Sequence, residues 1–485
     1  MFVNRREELS RLEARYRSNK SEFVVVYGRR RVGKTVLLKQ FVQGKEHVYF
    51  LADLRPEIEQ LGYFTQQLYQ VTQEPMLALE SFSSWDSALT YLAQVSQDKR
   101  LIIVIDEYPY LCSVNTAFPS ILQRIWDERL KASQIFLVLC GSSISMMERE
   151  VLGRTSPLYG RRTSQLLVEP MDFFDAKQFF PDRGIKEQIE TYAIAGGIPA
   201  YLEQFESKRR IWDDVCDVAL RKDGFLYNEV SFLLMEELRE PRNYFAILAA
   251  IAASNTRLNE IAQAAFLPRP TVGRYLDILR DLRIVQRALP ITETKPHKSK
   301  KGLYKIIDPF FRFWFRFLYP NRGFLEEEEV DFVLSEKIKP NFADFVAPVF
   351  EDVSAQLLSK LNLANRLPFK AARIGAWWSR TEEIDVVALN DDSSQVLVAE
   401  CKWTKKPIGT NILDGLKAKA QILTKEIPPA PLFQRGEIPV GQIHYALFSR
   451  SGFTEALQSV ANAEGIFLFT LEDFVEHVAS LFRDK

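Results

Sequence analysis

The sequence predicts a multidomain α/β protein that opens with a parallel sheet layered between helices. Residues 21–156 alternate short apolar runs, such as Phe23-Val24-Val25-Val26-Tyr27 and Leu101-Ile102-Ile103-Val104-Ile105, with stretches of helical period. Strands buried on both faces read as continuous apolar runs, and parallel neighbours need a crossover between them, so the pattern is that of βαβ units. At 485 residues the chain exceeds what one core supports and divides into about three domains on length alone. Its composition, 47% hydrophobic and 26% charged, is that of a globular chain rather than a disordered, fibrous or membrane one.

The first domain is expected over residues 1–164. Strand Phe23–Tyr27 is followed by Gly28-Arg29-Arg30-Arg31-Val32-Gly33-Lys34-Thr35 and then by the helical run that starts at Val36. A glycine-rich loop between a strand and a helix is the context of a phosphate-binding P-loop. The glycines let backbone N–H groups curl around a β-phosphate at a helix N-terminus, Lys34 adds a charge for the β- and γ-phosphates, and Thr35 is placed to coordinate Mg²⁺. Residues Gly28 to Val36 are therefore expected to hold a nucleotide.

The second apolar run ends in Asp106-Glu107. Asp106 would hold the magnesium, largely through water, and Glu107 would orient or deprotonate the attacking water. A third run, Ile135 to Cys140, ends in Gly141-Ser142-Ser143. One of these serines is a candidate sensor of the γ-phosphate, with Ser142 counted among the nucleotide contacts; the alternative is that they cap the next helix. Arg154, Arg161 and Arg162 lie around Leu158-Tyr159-Gly160. Arg161 is counted here as a nucleotide contact, as an arginine finger for a neighbouring subunit; the plainer reading is a solvated arginine.

A helical lid is expected over residues 165–240, where strand runs give way to helical period broken by Pro170, Pro181 and Gly196-Gly197-Ile198-Pro199. Residues 241–320 show three helix-length segments, then apolar runs Arg283–Ile291 and Leu303–Ile307 around a lysine-rich loop, which suggests a winged-helix module. In that reading Arg269, Arg274 and Arg280 meet double-stranded DNA from the second helix of the turn, and Lys295, Lys298, Lys300 and Lys301 contact its backbone. The alternative is a structural or protein-binding module. An aromatic run, Pro309 to Phe317, follows, and the stretch from Ile427 to Pro439 reads as an exposed proline-rich loop.

The last domain, 335–485, holds two strands: Glu383–Leu389 and Gln395–Trp403. With a turn at Asp391–Ser394, Asn390 pairs with Gln395 and Asp385 falls opposite Glu400, with Lys402 on the same face. Two facing acids repel unless neutralised, which favours one divalent metal held by Asp385 and Glu400, Lys402 assisting the water and the developing phosphorane charge. The plain alternative is a surface ion cluster.

The chain resembles the prokaryotic AAA+-type ATPases of the archaeal ATPase group. The resemblance rests on Phe2-Val3-Asn4-Arg5 with Glu8-Leu9, Tyr27-Gly28-Arg29-Arg30, Asp106-Glu107, Cys140-Gly141-Ser142-Ser143, Leu158-Tyr159-Gly160-Arg161 and Gly196-Gly197-Ile198-Pro199. It implies a P-loop NTPase of AAA+-like architecture that uses ATP. The last domain resembles the PD-(D/E)xK nuclease-like, restriction-endonuclease-like fold, also through Phe350-Glu351 and Ile374-Gly375-Ala376-Trp377-Trp378. That resemblance implies Glu351 as an accessory acid, Asp385 and Glu400 as metal ligands and Lys402 as the catalytic lysine.

Sixty-three basic and 63 acidic residues leave no net attraction to nucleic acid or an anionic membrane, so any such contact must be a local patch. Cys112, Cys140, Cys216 and Cys401 are too far apart to suggest a disulfide framework or a zinc site, and four scattered histidines show no ligand spacing. With no secretory leader and no apolar run near the ~20 residues of a bilayer span, a reducing cytoplasm is expected. The sequence thus points to an ATP-driven, DNA-associated machine; an ATP-dependent signalling switch with a non-catalytic last domain is the rival, and a transcription regulator acting through the winged helix alone is a third reading. A homo-oligomer is expected because arginine fingers act between subunits.

Overall fold

Five strands, β1 (Glu22–Tyr27), β2 (His47–Leu51), β3 (Leu101–Asp106), β4 (Ile135–Gly141) and β5 (Ser164–Leu167), form the first sheet of a computed structural model that describes residues 3–238, 240–427 and 441–475. Their order is β2-β3-β4-β1-β5, and every neighbouring pair is parallel. β1, β3 and β4 are buried along their whole length, which is why they read as unbroken apolar runs. Trp85 stands at the centre of the packing on one face, its ring 5.4 Å from Phe64 and 5.2 Å from Phe118. Because the strands are parallel, their C-terminal ends share one edge, and Gly28, Glu107 and Ser142 all emerge there.

One strand was not foreseen. Helical structure was expected from residue 165, yet Ser164–Leu167 pairs with β1 from Val24↔Ser164 to Tyr27↔Leu167. As an edge strand of four residues, two of them polar, it carries no apolar run to read.

The chain folds as two compact units: residues up to Met171 together with Ile198–Ala200, and Asp172–Gly197 together with everything from Tyr201 onward. In the second unit the aromatic run is core rather than surface. Asp308 caps its start by accepting from the N–H of Phe310 at 2.7 Å, and Phe310, Phe311, Phe313, Trp314, Phe315 and Phe317 are all buried. Trp314 donates its indole N–H to the carbonyl of Tyr227 at 2.8 Å, which ties the run to the preceding helices.

Three helices, Arg242–Ala252, Leu258–Ala264 and Arg269–Asp281, lead into a two-stranded antiparallel hairpin of β6 (Val285–Ala288) and β7 (Leu303–Ile306). The expected run Arg283–Ile291 pairs over only four residues. Beyond them Ile291 donates its N–H to Ala376 in the last sheet at 2.9 Å.

That sheet contains β8 (Arg373–Trp378), β9 (Glu383–Leu389), β10 (Gln395–Lys402), β11 (Gln442–Ser449) and β12 (Phe467–Phe469), in the order β12-β11-β10-β9-β8. β8, β9 and β10 are antiparallel, whereas β10, β11 and β12 are parallel. β9 and β10 pair from Val396↔Leu389 to Ala399↔Val386, and the same register sets Asn390 against Gln395 and Asp385 against Glu400. The exposed edge at β8 is covered from the hairpin side: Arg373 donates to the carbonyl of Ile291 at 3.1 Å and Trp378 to that of Lys301 at 3.0 Å. The expected proline-rich loop, Pro428 to Pro439, lies outside the described residues. Among the described residues no helix is long and apolar enough to cross a membrane.

Candidate functional site

β1 runs into the loop through Gly28, where a Cβ would lie 2.3 Å from the carbonyl oxygen of Val168, so only glycine fits. Gly33, at φ +94°, turns the chain into the helix Lys34–Val42. Backbone N–H groups are thereby presented at a helix start, beside the strand ends, which is a cradle for phosphate. Lys34 is 4% exposed, and its ammonium donates to the carbonyls of Gly28 and Arg29, each at 2.9 Å, so it lies across the loop. Burial lowers its pKa, against the opposing pull of nearby acids that include Glu107 and Asp106. The loop is braced from outside itself. Buried Arg5 donates to the carbonyl of Val32 at 2.8 Å, and Arg30 donates to the hydroxyl of Tyr110 at 2.6 Å.

Asp106, 1% exposed, sits where three donors converge: the Thr35 hydroxyl at 2.8 Å and the Tyr49 hydroxyl at 2.6 Å on Oδ2, and the Glu107 N–H at 3.0 Å on Oδ1. Tyr49, from β2, was missed by the sequence reading; a tyrosine in an apolar strand carries no sign that its hydroxyl faces a carboxylate two strands' sequence away. Its phenol is held far above the ordinary range by burial first and then by Asp106. Paired hydroxyl and carboxylate oxygens are hard donors of the kind that suit Mg²⁺, so Thr35 and Asp106 fit that ion.

Glu107 adopts the left-handed conformation, φ +52°, at the start of helix Tyr108–Val114. Its carboxylate accepts from the Ser142 hydroxyl at 2.6 Å and from the Ser142 N–H at 3.4 Å. Ser143 instead caps helix Ile144–Met147 by accepting from the N–H of Met146. Of the serine pair, Ser143 is thus the helix cap and Ser142 is bonded to Glu107.

Arg161, expected among the nucleotide contacts, does not reach this loop on its own chain. It precedes β5, whose parallel pairing sets Thr163 beside Phe23 at the beginning of β1, roughly 17 Å of strand from Gly28. Its guanidinium is engaged there by Asp127 at 2.8 Å and by the carbonyl of Pro157 at 2.8 Å.

The last sheet holds a second cluster. Glu400, 6% exposed, takes the Lys402 ammonium at 2.7 Å on Oε1 and that of Lys419 at 3.1 and 3.2 Å on its two oxygens. Asp385 accepts the Cys401 N–H at 2.7 Å and lies 3.8 Å from Lys402. Burial and then the charge of Glu400 push the Asp385 carboxyl up to about 6, and burial and then Asp385 push Glu351, on helix Phe342–Leu363, up to about 8. Burial alone would lower Lys402, but Asp385 and Glu400 outweigh it and hold it above an ordinary lysine. Lys419, on helix Thr410–Glu426, was not legible in the strand periodicity. It corrects one premise: the facing acids do not need a metal to neutralise them, because two lysines do so. Among the described residues no three His, Cys, Asp or Glu side chains converge to hold a metal ion.

A glycine-bounded loop on a central parallel strand, flanked by an Asp–Glu pair and a serine at neighbouring strand ends, defines a P-loop ATPase domain. Residues 2–205 match the model of an ATPase domain predominantly from Archaea. Residues 186–307 match a domain of unknown function, and residues 314–416 a family of archaeal and bacterial proteins of unknown function. Over 403 residues, 83% of this chain and 88% of the relative, the sequence is 42% identical to the uncharacterized protein MJECL04 of Methanocaldococcus jannaschii, and the chain belongs to that protein's family. A 46-residue stretch is 54% identical to the uncharacterized ATP-binding protein MJ0423 of the same organism, over 10% of this chain and 78% of that one. Among solved structures, the Walker-type ATPase PABY2304 of Pyrococcus abyssi aligns over 65% of this chain and 96% of its own at 23% identity, with a TM-score of 0.49.

Proposed function

We propose that the chain hydrolyses ATP at the Gly28–Val36 loop and uses the nucleotide state to act on double-stranded DNA bound by its second unit. In this reading Lys34 and the loop amides hold the β- and γ-phosphates, and Glu107 takes the proton of the water that attacks the γ-phosphorus. Ser142 holds the Glu107 carboxylate, and Tyr49 holds Asp106. Mg²⁺, held by Thr35 and Asp106, supplies neutralising charge to the phosphates when bound.

The observation that supports DNA binding is the run of exposed cations after the helix pair that have no ion-pair partner among the described residues. Arg269 and Arg274 are exposed on helix Arg269–Asp281, as are Lys295, Lys298 and Lys300 on the loop between β6 and β7. That arrangement supports a winged-helix module. Two expected contacts drop in weight: Arg280 is paired with Asp277 at 2.9 Å, and Lys301 with Glu426 at 3.0 Å. The test is ATP turnover with and without duplex DNA at low salt. Stimulation that weakens on Arg274→Ala, with the salt slope of binding reduced by about one, supports the proposal; turnover and mobility indifferent to any duplex would remove it.

A second reading has its own observation. The neutralisation of Glu400 by Lys402 and Lys419 suits a last domain that serves as a scaffold in an ATP-dependent switch, rather than a PD-(D/E)xK nuclease. Metal-dependent nicking that disappears in Lys402→Ala would favour the nuclease, and its absence in the wild type the scaffold.

A further inference from the structure

At the edge of the first sheet opposite the phosphate loop lies a cavity of about 750 Å³. Three segments remote in sequence meet around it: Lys20 just before β1, Lys131 after helix Phe118–Glu128, and Arg161 and Arg162 just before β5. Its one carboxylate, Asp127, is taken by Arg161. Lys20, Lys131 and Arg162 have no carboxylate partner among the described residues, so three cationic residues line one cavity without compensation. The Arg162 guanidinium lies over the Tyr159 ring at 5.7 Å, and its Nη1 is buried with no hydrogen-bond partner.

Like charges gathered around a concavity repel one another in the empty state and focus their field on an incoming anion. The ordinary relief, a carboxylate from this chain, has been spent on Arg161. The volume falls among small-molecule sites of roughly 300–1,000 Å³, larger than a lone inorganic ion fills, and the exposed Tyr159 is among its lining residues.

We propose that this cavity is a second anion site, separate from the P-loop, that takes a phosphate-bearing ligand of nucleotide size on Arg162, Lys131 and Lys20. The ligand phosphate supplies the negative charge that Arg162 and the two lysines lack. Phosphate can arrive on a free nucleotide or on a nucleic-acid strand, and the chemistry at the cavity is the same.

The test uses the full chain with its phosphate loop saturated by magnesium and a non-hydrolysable ATP analogue, titrated with pyrophosphate in a calorimeter. A further binding event is expected, weakened about tenfold by Lys131→Gln and by Arg162→Ala, since a charged hydrogen bond contributes on that order. Arg162→Lys, which keeps the charge, should recover part of the loss, and Lys131 is exposed, so its variant keeps the fold. Displacement of pyrophosphate by AMP but not by a short single-stranded oligonucleotide assigns the site to a free nucleotide; the reverse assigns it to a strand. A titration with no further event, or one unchanged in both Lys131→Gln and Arg162→Ala, overturns the proposal. Because the readout follows those residues, it stands or falls separately from nucleotide binding at Lys34.

Discussion

Both sheets carry acidic residues at the end of a buried strand, yet the two ends handle that charge differently. Asp106 and Glu107 are met by neutral donors, the hydroxyls of Thr35, Tyr49 and Ser142 and two N–H groups. Asp385 and Glu400 are met by ammonium groups, Lys402 and Lys419. Neutral donors orient a carboxylate and leave its charge for an incoming cation or proton, whereas lysines cancel that charge on the spot. Acids after a strand are therefore not equivalent, and their partners decide what they are prepared for.

The largest effect that tests this contrast is on ATP turnover. Lys34→Ala and Glu107→Gln should each lower turnover by about 10²–10³-fold, the scale of removing one electrostatic or proton-transfer group. Glu107→Gln should keep its nucleotide affinity, because the role proposed for Glu107 is to take a proton from water and not to hold the phosphates. Glu400→Gln should leave basal turnover within about twofold. Phosphate release measured on the three variants checks it; a fall in Glu400→Gln as deep as in Glu107→Gln would break the contrast.

A smaller effect sharpens it. Tyr49→Phe removes one of two hydroxyls from Asp106 Oδ2 without changing the ring, and Thr35 remains in place. Loss of a hydrogen bond to a charged group is on the order of 1.5–3 kcal/mol, so turnover should fall about tenfold. If Tyr49 acts by aiming Asp106, the magnesium concentration for half-maximal turnover rises while the KM for ATP barely moves. Equal loss at all magnesium concentrations would mark Tyr49 as packing alone.

How much of this was legible follows from which contacts are local. The loop, the Asp106–Glu107 pair and the β9–β10 register are set by neighbours in sequence: glycines at fixed offsets, an apolar run, a four-residue turn that fixes the pairing of Asp385 with Glu400. What stayed hidden arrives from elsewhere in the chain. Tyr49 reaches Asp106 only because β2 lies beside β3, and Lys419 reaches Glu400 only because a helix crosses under β10. Arg161 is engaged by Asp127 on its own chain, a pairing of residues 34 positions apart that the sequence does not display. β5 escaped because an edge strand with one paired side need not be apolar.

The second cluster also makes a stability prediction with a definite sign. Glu351 titrates near 8 and Asp385 near 6 in the folded chain, both driven first by burial. In the unfolded chain both titrate near the ordinary carboxylate values of about 4. Between those values and about 8 the folded state holds protons that the unfolded state has released, so stability is fullest in mild acid and declines as pH rises, by at most about 1.4 kcal/mol per pH unit for each proton. Above about pH 8 the decline stops, because both states are then ionised. Glu351→Gln removes the larger share by replacing a buried acid with a neutral side chain of the same shape. The melting temperature of the second unit should therefore rise relative to wild type at about pH 8.5 and match it at about pH 5. Equal melting temperatures of variant and wild type at both pH values would mean that Glu351 is already ionised in the fold, and that Lys402 and Lys419 compensate all three acids rather than two.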